Sequence, residues 1–446
     1  MTKIARVLAA VLVLLTGLWL LADTLVPQPF SYFAFRAKFM QYSGVLAIGA
    51  MSLCMVLAVR PRWLEPYLGG LDKMYRLHKW LGITALVTSV AHWWLGQGTK
   101  WMVGWGWLIR PARRPRTGGP DPATLEGLFR TQRGLAETVG EWAFYAAAVL
   151  LVLALIKRFP YRWFAKTHTV LAALYLCLVF HSVILLQFSY WLQPVGLLMA
   201  VLMAVGSVCG VQVLSGRVGA RRQVRGTVAL VQPHPASQLL ETRIELQPGW
   251  PGHQAGQFAF VTFDKREGAH PFTIASAWSA ASRQVTFLTK ALGDYTQAMP
   301  QLIQVGGPVT VEGPYGCFQF DDHQPRQIWI GAGIGITPFM ARLKQLAAQG
   351  VPGQAIDLFH ASAVYEPAVI DQLRADAAAA GVRLHLFIDA RDGRLDAEKI
   401  RASVPGWKES SIWFCGPTGM GTSLWQRFKA LGLSEAHFHR ELFEMR

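Results

Sequence analysis

Charge is scarce in this chain: Asp, Glu, Lys and Arg make up only 16% of its 446 residues, while 52% are hydrophobic. That balance excludes a disordered polypeptide, and it does not suit an ordinary soluble enzyme. Acidic residues are the scarcer sign, 27 against 43 Lys and Arg, leaving a formal net charge of +16. A basic excess of this size suggests nucleic acid until its position is considered. Residues 1–216 hold 20 basic and 7 acidic groups, whereas residues 217–446 hold 23 and 20. The excess therefore lies between apolar runs, where membrane topology accounts for it and a DNA-binding face does not. Cysteine is sparse as well. Cys54, Cys177, Cys209, Cys317 and Cys415 form no CxxC pair and no disulfide framework, and three of them lie in apolar runs as small packing residues. No internal repeat or low-complexity tract is present.

What the chain does have is long apolar runs. Six stretches, about 4–26, 39–59, 77–97, 139–156, 167–187 and 190–214, approach the roughly 20 residues a helix needs to cross the hydrocarbon layer. Lipid offers the backbone no partners, so each is expected to be helical. The first run follows Lys3 and Arg6 as a signal peptide would, but no small-x-small cleavage pattern precedes Asp23, so it reads as a retained helix. Basic connections around Arg60–Arg76, around Lys157–Lys166 and after Arg217 alternate as an even number of spans requires. This places both termini in the cytoplasm of a cell whose inner membrane holds the chain. The segment 99–137, with Lys100, Arg110, Arg113, Arg114, Arg116, Arg130 and Arg133, runs against that rule, yet the count puts it outside.

Of the 12 histidines, residues 1–216 contain four: His78 and His92 on one apolar run, His168 and His181 on another. An ionisable ring in lipid is costly without a partner, and imidazole is a standard axial ligand of haem iron. No CxxCH pattern offers covalent attachment, so a haem would be held by ligands alone. At about 1.5 Å per residue, the 14 steps from His78 to His92 span roughly 21 Å and return to within about 40° of one face. The 13 steps from His168 to His181 leave about 140° between them on a straight helix, which a simple ladder does not accommodate. Both spans run from inside to outside, so His78 pairs with His168 as an inner site and His92 with His181 as an outer one. The bland alternative is four core histidines bonded to carbonyls. Arg76, Lys79 and Lys166 at the inner end serve either haem propionates or ordinary interfacial anchoring.

After Arg225 the texture changes. Thr227–Val231, Gln257–Thr262 and Val285–Thr289 alternate in the manner of antiparallel strands. From Gln327, apolar strands at Ile328–Ile330, Ala355–His360, Leu384–Ile388 and Ile412–Phe414 alternate with helical segments, the signature of a parallel sheet with crossovers. Several motifs fall in order on this background. His270-Pro271-Phe272-Thr273-Ile274-Ala275-Ser276 offers a ring surface and hydroxyls to a flavin, with Thr273 near the redox nitrogen. Gly293-Asp294-Tyr295-Thr296 is a glycine turn suited to a pyrophosphate. Gly331-Ala332-Gly333-Ile334-Gly335-Ile336-Thr337-Pro338 follows a strand and opens a helix, where backbone amides favour a dinucleotide phosphate. Cys415-Gly416-Pro417 closes a later strand at the edge where a nicotinamide meets a flavin.

The two His pairs, followed by HPFTIAS, GDYT, GPYG, GAGIGITPF and CGP, resemble the NADPH oxidase and ferric reductase superfamily over roughly residues 37–446. The resemblance implies a multidomain fold: a six-helix transmembrane haem bundle, a ferredoxin-reductase-like FAD β-barrel and an α/β nucleotide-binding domain. It divides the chain into residues 1–216, 217–325 and 326–446. By the same resemblance two b-type haems are held by His78, His92, His168 and His181. FAD then meets His270, Pro271, Phe272, Thr273, Ser276, Gly293 and Thr296. NADPH or NADH meets Gly331, Gly333, Gly335, Thr337, Pro338, Cys415, Gly416 and Pro417, and Phe443 matches a terminal aromatic that covers the flavin ring. Two departures stand out. Gly96 takes the place of a further histidine one turn beyond the outer ligand, and the basic loop 99–137 is long. The expected activity is transfer of electrons from cytoplasmic NAD(P)H through FAD and two haems to an extracytoplasmic acceptor, ferric chelate or O2. The alternatives are a dedicated superoxide-producing oxidase and a relay subunit for a periplasmic partner or quinone.

Overall fold

The computed structural model describes residues 2–110, 121–156, 158–159, 161–350 and 353–441, so Phe443 and the basic residues Arg113, Arg114 and Arg116 lie outside the described residues. The chain divides into two compact units, one comprising Met1–Pro61 with Lys73–Val218, the other Arg62–Asp72 with Gly219 onward.

The first unit is helical: α1 (Thr2–Ala22), α2 (Tyr32–Ala58), α3 (Leu71–Gly104), α4 (Leu125–Leu155), α5 (Tyr161–Leu185) and α6 (Pro194–Leu214). Caps set several of these boundaries. The Ser31 and Thr124 hydroxyls accept from the first-turn amides of α2 and α4, and Pro194 opens α6, where its missing N–H leaves no bond unmade. Among the described residues, five of the six are long and apolar enough to cross a membrane. The exception is α3, which has the length, 34 residues, but not the composition. Its uncharged stretch between Lys79 and Lys100 carries Thr84, Thr88, Ser89, His92, Gln97 and Thr99. Several of those hydroxyls are satisfied within the helix, Thr84 on the Trp80 carbonyl at 2.9 Å and Thr88 on that of Thr84 at 2.8 Å.

The core of this unit gathers Leu15, Trp19, Val45, Tyr175, Val195, Met199 and Met203. One polar pair is sealed inside it: the Ser52 and Tyr175 hydroxyls lie 2.8 Å apart. Beside them is Gly206, where an added Cβ would stand 2.2 Å from the Tyr175 oxygen. Small residues there let the helices approach, the usual route to packing in lipid.

The second unit contains two sheets. The antiparallel sheet has the order β4 (His270–Thr273), β3 (Phe258–Thr262), β6 (Pro308–Tyr315), β1 (Gln223–His234), β2 (Leu239–Leu246) and β5 (Gln284–Lys290). Inward and outward residues alternate cleanly along the first half of β1, as a half-buried strand requires. Just past β4, Ile274 bridges Phe287 of β5 and the Ala275 amide reaches the Thr286 carbonyl at 2.8 Å, so the two edges of the sheet meet. The parallel sheet has the order β11 (Phe438–Arg440), β10 (Ser410–Cys415), β7 (Arg326–Ala332), β8 (Ala355–Ser362) and β9 (Arg383–Ile388). Helices α8 (Thr337–Gln349) and α9 (Pro367–Ala379), which follow α7 (Asp294–Leu302), share one core with Trp329, Leu358 and Trp413. Residues of α10 (Ala397–Ser403) and α11 (Thr418–Ala430) share another with Ile328, Ile330, Phe359 and Phe414. The sheet is thus covered on both faces. Its strand order reverses between β7 and β10, the position at which open parallel sheets bind ligands.

Candidate functional site

In the helical unit, α3 and α5 bring the four histidines together in pairs. The rings of His78 and His168 have centroids 5.8 Å apart, and those of His92 and His181 lie 6.4 Å apart. Three of the four rings use Nδ1 on a neighbour: His78 on the Cys54 carbonyl at 3.1 Å, His92 on the Ser43 hydroxyl at 3.1 Å, and His181 on the Ala136 carbonyl at 2.8 Å. Each such bond fixes the ring and commits Nδ1, so Nε2 is the nitrogen left to bind a metal, the arrangement by which proteins orient metal-binding imidazoles. The His168 ring stacks on Phe164 at 5.0 Å.

Space at the second pair is set by glycines. A Cβ on Gly140 would stand 1.9 Å from His181 Nδ1, and one on Gly44 would stand 3.6 Å from His92 Cε1. Both imidazoles line a cavity of about 480 Å³ together with Arg36, Gln97, Lys100, Arg133, Glu137 and Glu141. Arg36 donates to the Leu95 carbonyl at 2.9 Å and lies 3.5 Å from that of Gly96. A Cβ on Gly96 itself would meet Met40 at 3.8 Å.

In the second unit the motif residues fall into two groups. His270, Pro271, Phe272 and Thr273 form β4, and the His270 ring stacks on Tyr295 of the Gly293–Thr296 turn at 4.4 Å. The structure therefore joins two motifs more than twenty positions apart. Burial presses the His270 ring down from its ordinary pKa, and burial raises the Tyr295 phenol to about 12, so both are held neutral. Thr296 has a local task as well: its hydroxyl accepts from the Leu292 and Gly293 amides, both at 3.0 Å, and caps α7. Ser276 accepts the Thr286 amide on its hydroxyl at 3.1 Å.

The second group interlocks at the reversal point. A Cβ on Gly335 would stand 2.2 Å from the Cys415 carbonyl oxygen, and one on Gly416 would stand 2.7 Å from Ala332 Cβ. Gly333 has φ +57, a left-handed value that glycine adopts without strain. Thr337 donates to the Ile334 carbonyl at 2.7 Å, and Pro338 occupies the first turn of α8. A cavity of about 930 Å³ opens here, lined by Gly333, Ile334, Lys290, His360, Arg394 and Pro417 among others. Cys415 is fully buried, and burial pushes its thiol well above the ordinary range, with the Glu441 charge adding to the effect. It packs in the core beside Phe339 and Trp413 and is not among the residues that line the cavity.

Two residues here have no motif to announce them. His360, near the end of β8, lines the cavity with Nδ1 3.1 Å from the Gly331 carbonyl. His253 lies between Trp250 and Trp278, accepting the Trp250 indole N–H on Nδ1 at 3.3 Å and bonding the Ser276 carbonyl through Nε2 at 3.0 Å. Burial lowers its pKa to about 4, against an opposing contribution from the Ser276 bond. Above about pH 6.5 the ring is neutral folded or unfolded; below that the unfolded chain binds the proton first, so stability falls as pH drops towards 4. The loss amounts to about 3 kcal/mol at about 1.4 kcal/mol per pH unit. Thermal melts of the detergent-solubilised protein between pH 7 and 4.5 are expected to show a smaller acid-side decline in His253→Gln than in the wild type. Equal declines would remove His253 from the explanation.

Residues 43–179 match the family model of the ferric reductase like transmembrane component. The match takes in His78, His92 and His168 and ends short of His181. Among curated proteins the chain is similar to an NADPH oxidoreductase of Mycobacterium tuberculosis, 28% identical over 241 residues that cover 52% of this chain and 62% of that protein. It is also similar to the phenoxybenzoate dioxygenase subunit beta of Ectopseudomonas oleovorans, 32% identical over 143 residues, 31% of this chain and 41% of that one. The chain thus spans less than two thirds of either relative. Among solved structures, the FAD/NAD-binding domain of a nitric oxide dioxygenase from Vibrio cholerae covers 49% of this chain and 98% of its own at 20% identity, with a TM-score of 0.43. Over residues 43–179 the helical unit is thus similar to a ferric reductase like transmembrane component.

Proposed function

We propose that the chain is a multi-pass membrane oxidoreductase of the inner membrane, carrying electrons from cytoplasmic NAD(P)H to an acceptor on the far side, ferric chelate or O2. The observation that carries this reading is the pairing of four histidines across α3 and α5 with three of their Nδ1 atoms already committed. Two imidazoles bound to one iron through metal–nitrogen bonds of about 2 Å hold their ring centres roughly 6 Å apart. The observed separations of 5.8 and 6.4 Å fit that requirement. His78 with His168, and His92 with His181, would each hold a b-type haem.

The flavin would rest against β4 and the Gly293–Thr296 turn, and NAD(P)H would enter the 930 Å³ cavity over the Gly331–Gly335 turn. When bound, these groups supply the conversion of two-electron to one-electron chemistry and its passage across the lipid. The chain's own work is to hold the rings, fix their tautomers and exclude water. Gly335 and Gly416 let two turns approach closely enough to receive a pyrophosphate.

The test is haem content. Purified protein is expected to contain two low-spin haems per chain, with His92→Leu or His181→Leu each retaining one and His78→Leu retaining the other. Unchanged content in these variants would refute the assignment.

A further inference from the structure

The cavity at His92 and His181 contains a carboxylate for which the reading above has no use. Glu141, on α4 next to the glycine that seats the His181 ring, accepts on one oxygen from both Gln97 Nε2 at 2.6 Å and the Tyr145 hydroxyl at 2.8 Å. Tyr145 in turn accepts the Trp93 indole N–H at 3.1 Å, and Trp93 follows His92 directly. An ionised carboxylate is an acceptor only, and two donors converging on one of its oxygens suit it. Its hydrogen-bond partners are neutral. Among the described residues no cation forms an ion pair with it: Arg133 is taken by Glu137 at 2.9 Å, and Arg36 by the carbonyls of α3. An acidic side chain retained at such a place within a bundle is costly unless it serves the site it faces.

We propose that Glu141 is a positioning residue for redox potential: its fixed negative charge favours the oxidised, more positive form of the centre held by His92 and His181, and so lowers that centre's midpoint potential. This rests on the haem assignment made above. A unit charge within about 10 Å, at an effective dielectric of about 20, changes a one-electron equilibrium by about tenfold. For a one-electron couple, tenfold corresponds to about 59 mV. The Glu141 hydrogen-bond chain reaches the residue beside His92 on α3, and its neighbour Gly140 abuts His181 of α5, so the one side chain on α4 adjoins both members of the pair.

The experiment is a spectroelectrochemical titration of the detergent-purified holoprotein. In Glu141→Gln the second centre's oxidised-to-reduced ratio at a given potential is expected to fall about tenfold, a midpoint shift of about +59 mV, with the His78/His168 centre unmoved. Glu141→Asp keeps the charge and is expected to restore the original value. Gln97→Lys, which sets an ammonium beside the untouched carboxylate, is expected to shift the midpoint in the same direction as Glu141→Gln. Two haems with an unmoved second potential in Glu141→Gln would overturn the proposal. If that variant loses its haem, Gln97→Lys decides, and an unmoved potential there overturns it equally. Wild-type protein without haem would instead sink the functional reading itself.

Discussion

Gly140→Leu is expected to reduce haem content from two per chain to one, with the surviving centre that of His78 and His168. The reason is steric and local. His181 Nδ1 bonds the Ala136 carbonyl at 2.8 Å, which draws the ring into the shallow groove between Ala136 and Gly140 on α4. A Cβ at position 140 would stand 1.9 Å from that same nitrogen, well inside any tolerable contact. Ala136, Gly140, Ala143 and Ala147 are all buried along this helix, so it has no slack on the packed face. Forcing larger groups into such a site costs about 1–3 kcal/mol when the structure yields, and here the imidazole is what must yield. Pyridine haemochrome titration per chain measures the result directly. Two haems in Gly140→Leu would mean that His181 does not occupy this groove in the working protein.

Gly335→Val is expected to lower NAD(P)H-driven haem reduction about 100-fold while leaving the dithionite-reduced spectrum intact. The nearest atoms to a new Cβ are the Cys415 carbonyl at 2.2 and 2.5 Å and the Gly416 amide nitrogen at 2.8 Å. These are backbone atoms of the facing turn, and no rotamer change can move them aside. The two turns must separate, and Gly333, Ile334 and Pro417, which line the 930 Å³ cavity beside them, are expected to move with them. Overpacking of about 1–3 kcal/mol, applied at the turn proposed to receive the phosphates, corresponds to losses of this order. Gly419, with nothing within 4 Å of its added Cβ, is the control: Gly419→Ala should cost little. A loss in Gly335→Val as small as that expected of Gly419→Ala would show that the cavity tolerates displacement of the Gly335 turn.

How much of this was legible in the sequence depends on the kind of interaction. Four histidines stand out because they are the only histidines of residues 1–216 and fall in pairs on two apolar runs, and the pairing follows from span direction alone. The 13-residue spacing of His168 and His181 argued against a simple ladder, yet α5 runs unbroken from Tyr161 to Leu185 and both rings reach their partners. Side-chain reach and the course of the helix take up the difference, and neither is encoded in spacing. Four of the five strands of the parallel sheet, β7 to β10, are visible as short apolar runs. Strands β2, β6 and β11 were not read from the sequence, because pairings such as Gln223 with Glu312 join distant segments. The third apolar run is helical as expected but less apolar than a lipid-facing span, because α3 carries polar groups, of which Ser89, His92 and Gln97 line the cavity at His92 and His181.

The partners that give the histidines their orientation were invisible. Cys54 and Ala136 act through backbone carbonyls, for which side-chain identity gives no signal, and Ser43 reaches His92 from 49 residues away. His253 looked like any loop residue, since only folding places it between two indoles. The Arg62–Asp72 segment belongs with the second unit although it is read as a connection between spans, and Glu65 explains why. Its buried carboxylate receives the Gly316 amide at 2.8 Å, a contact across 251 positions.

Trans-bilayer electron transfer is the claim on which all else turns, and sealed proteoliposomes test it most directly. With an impermeant ferric chelate trapped inside and NAD(P)H added outside, vesicles holding the wild-type protein are predicted to accumulate ferrous iron in the lumen, and vesicles holding His92→Leu are predicted not to. Lumenal reduction that proceeds equally with His92→Leu, or none at all from haem-replete wild-type protein, would contradict the account.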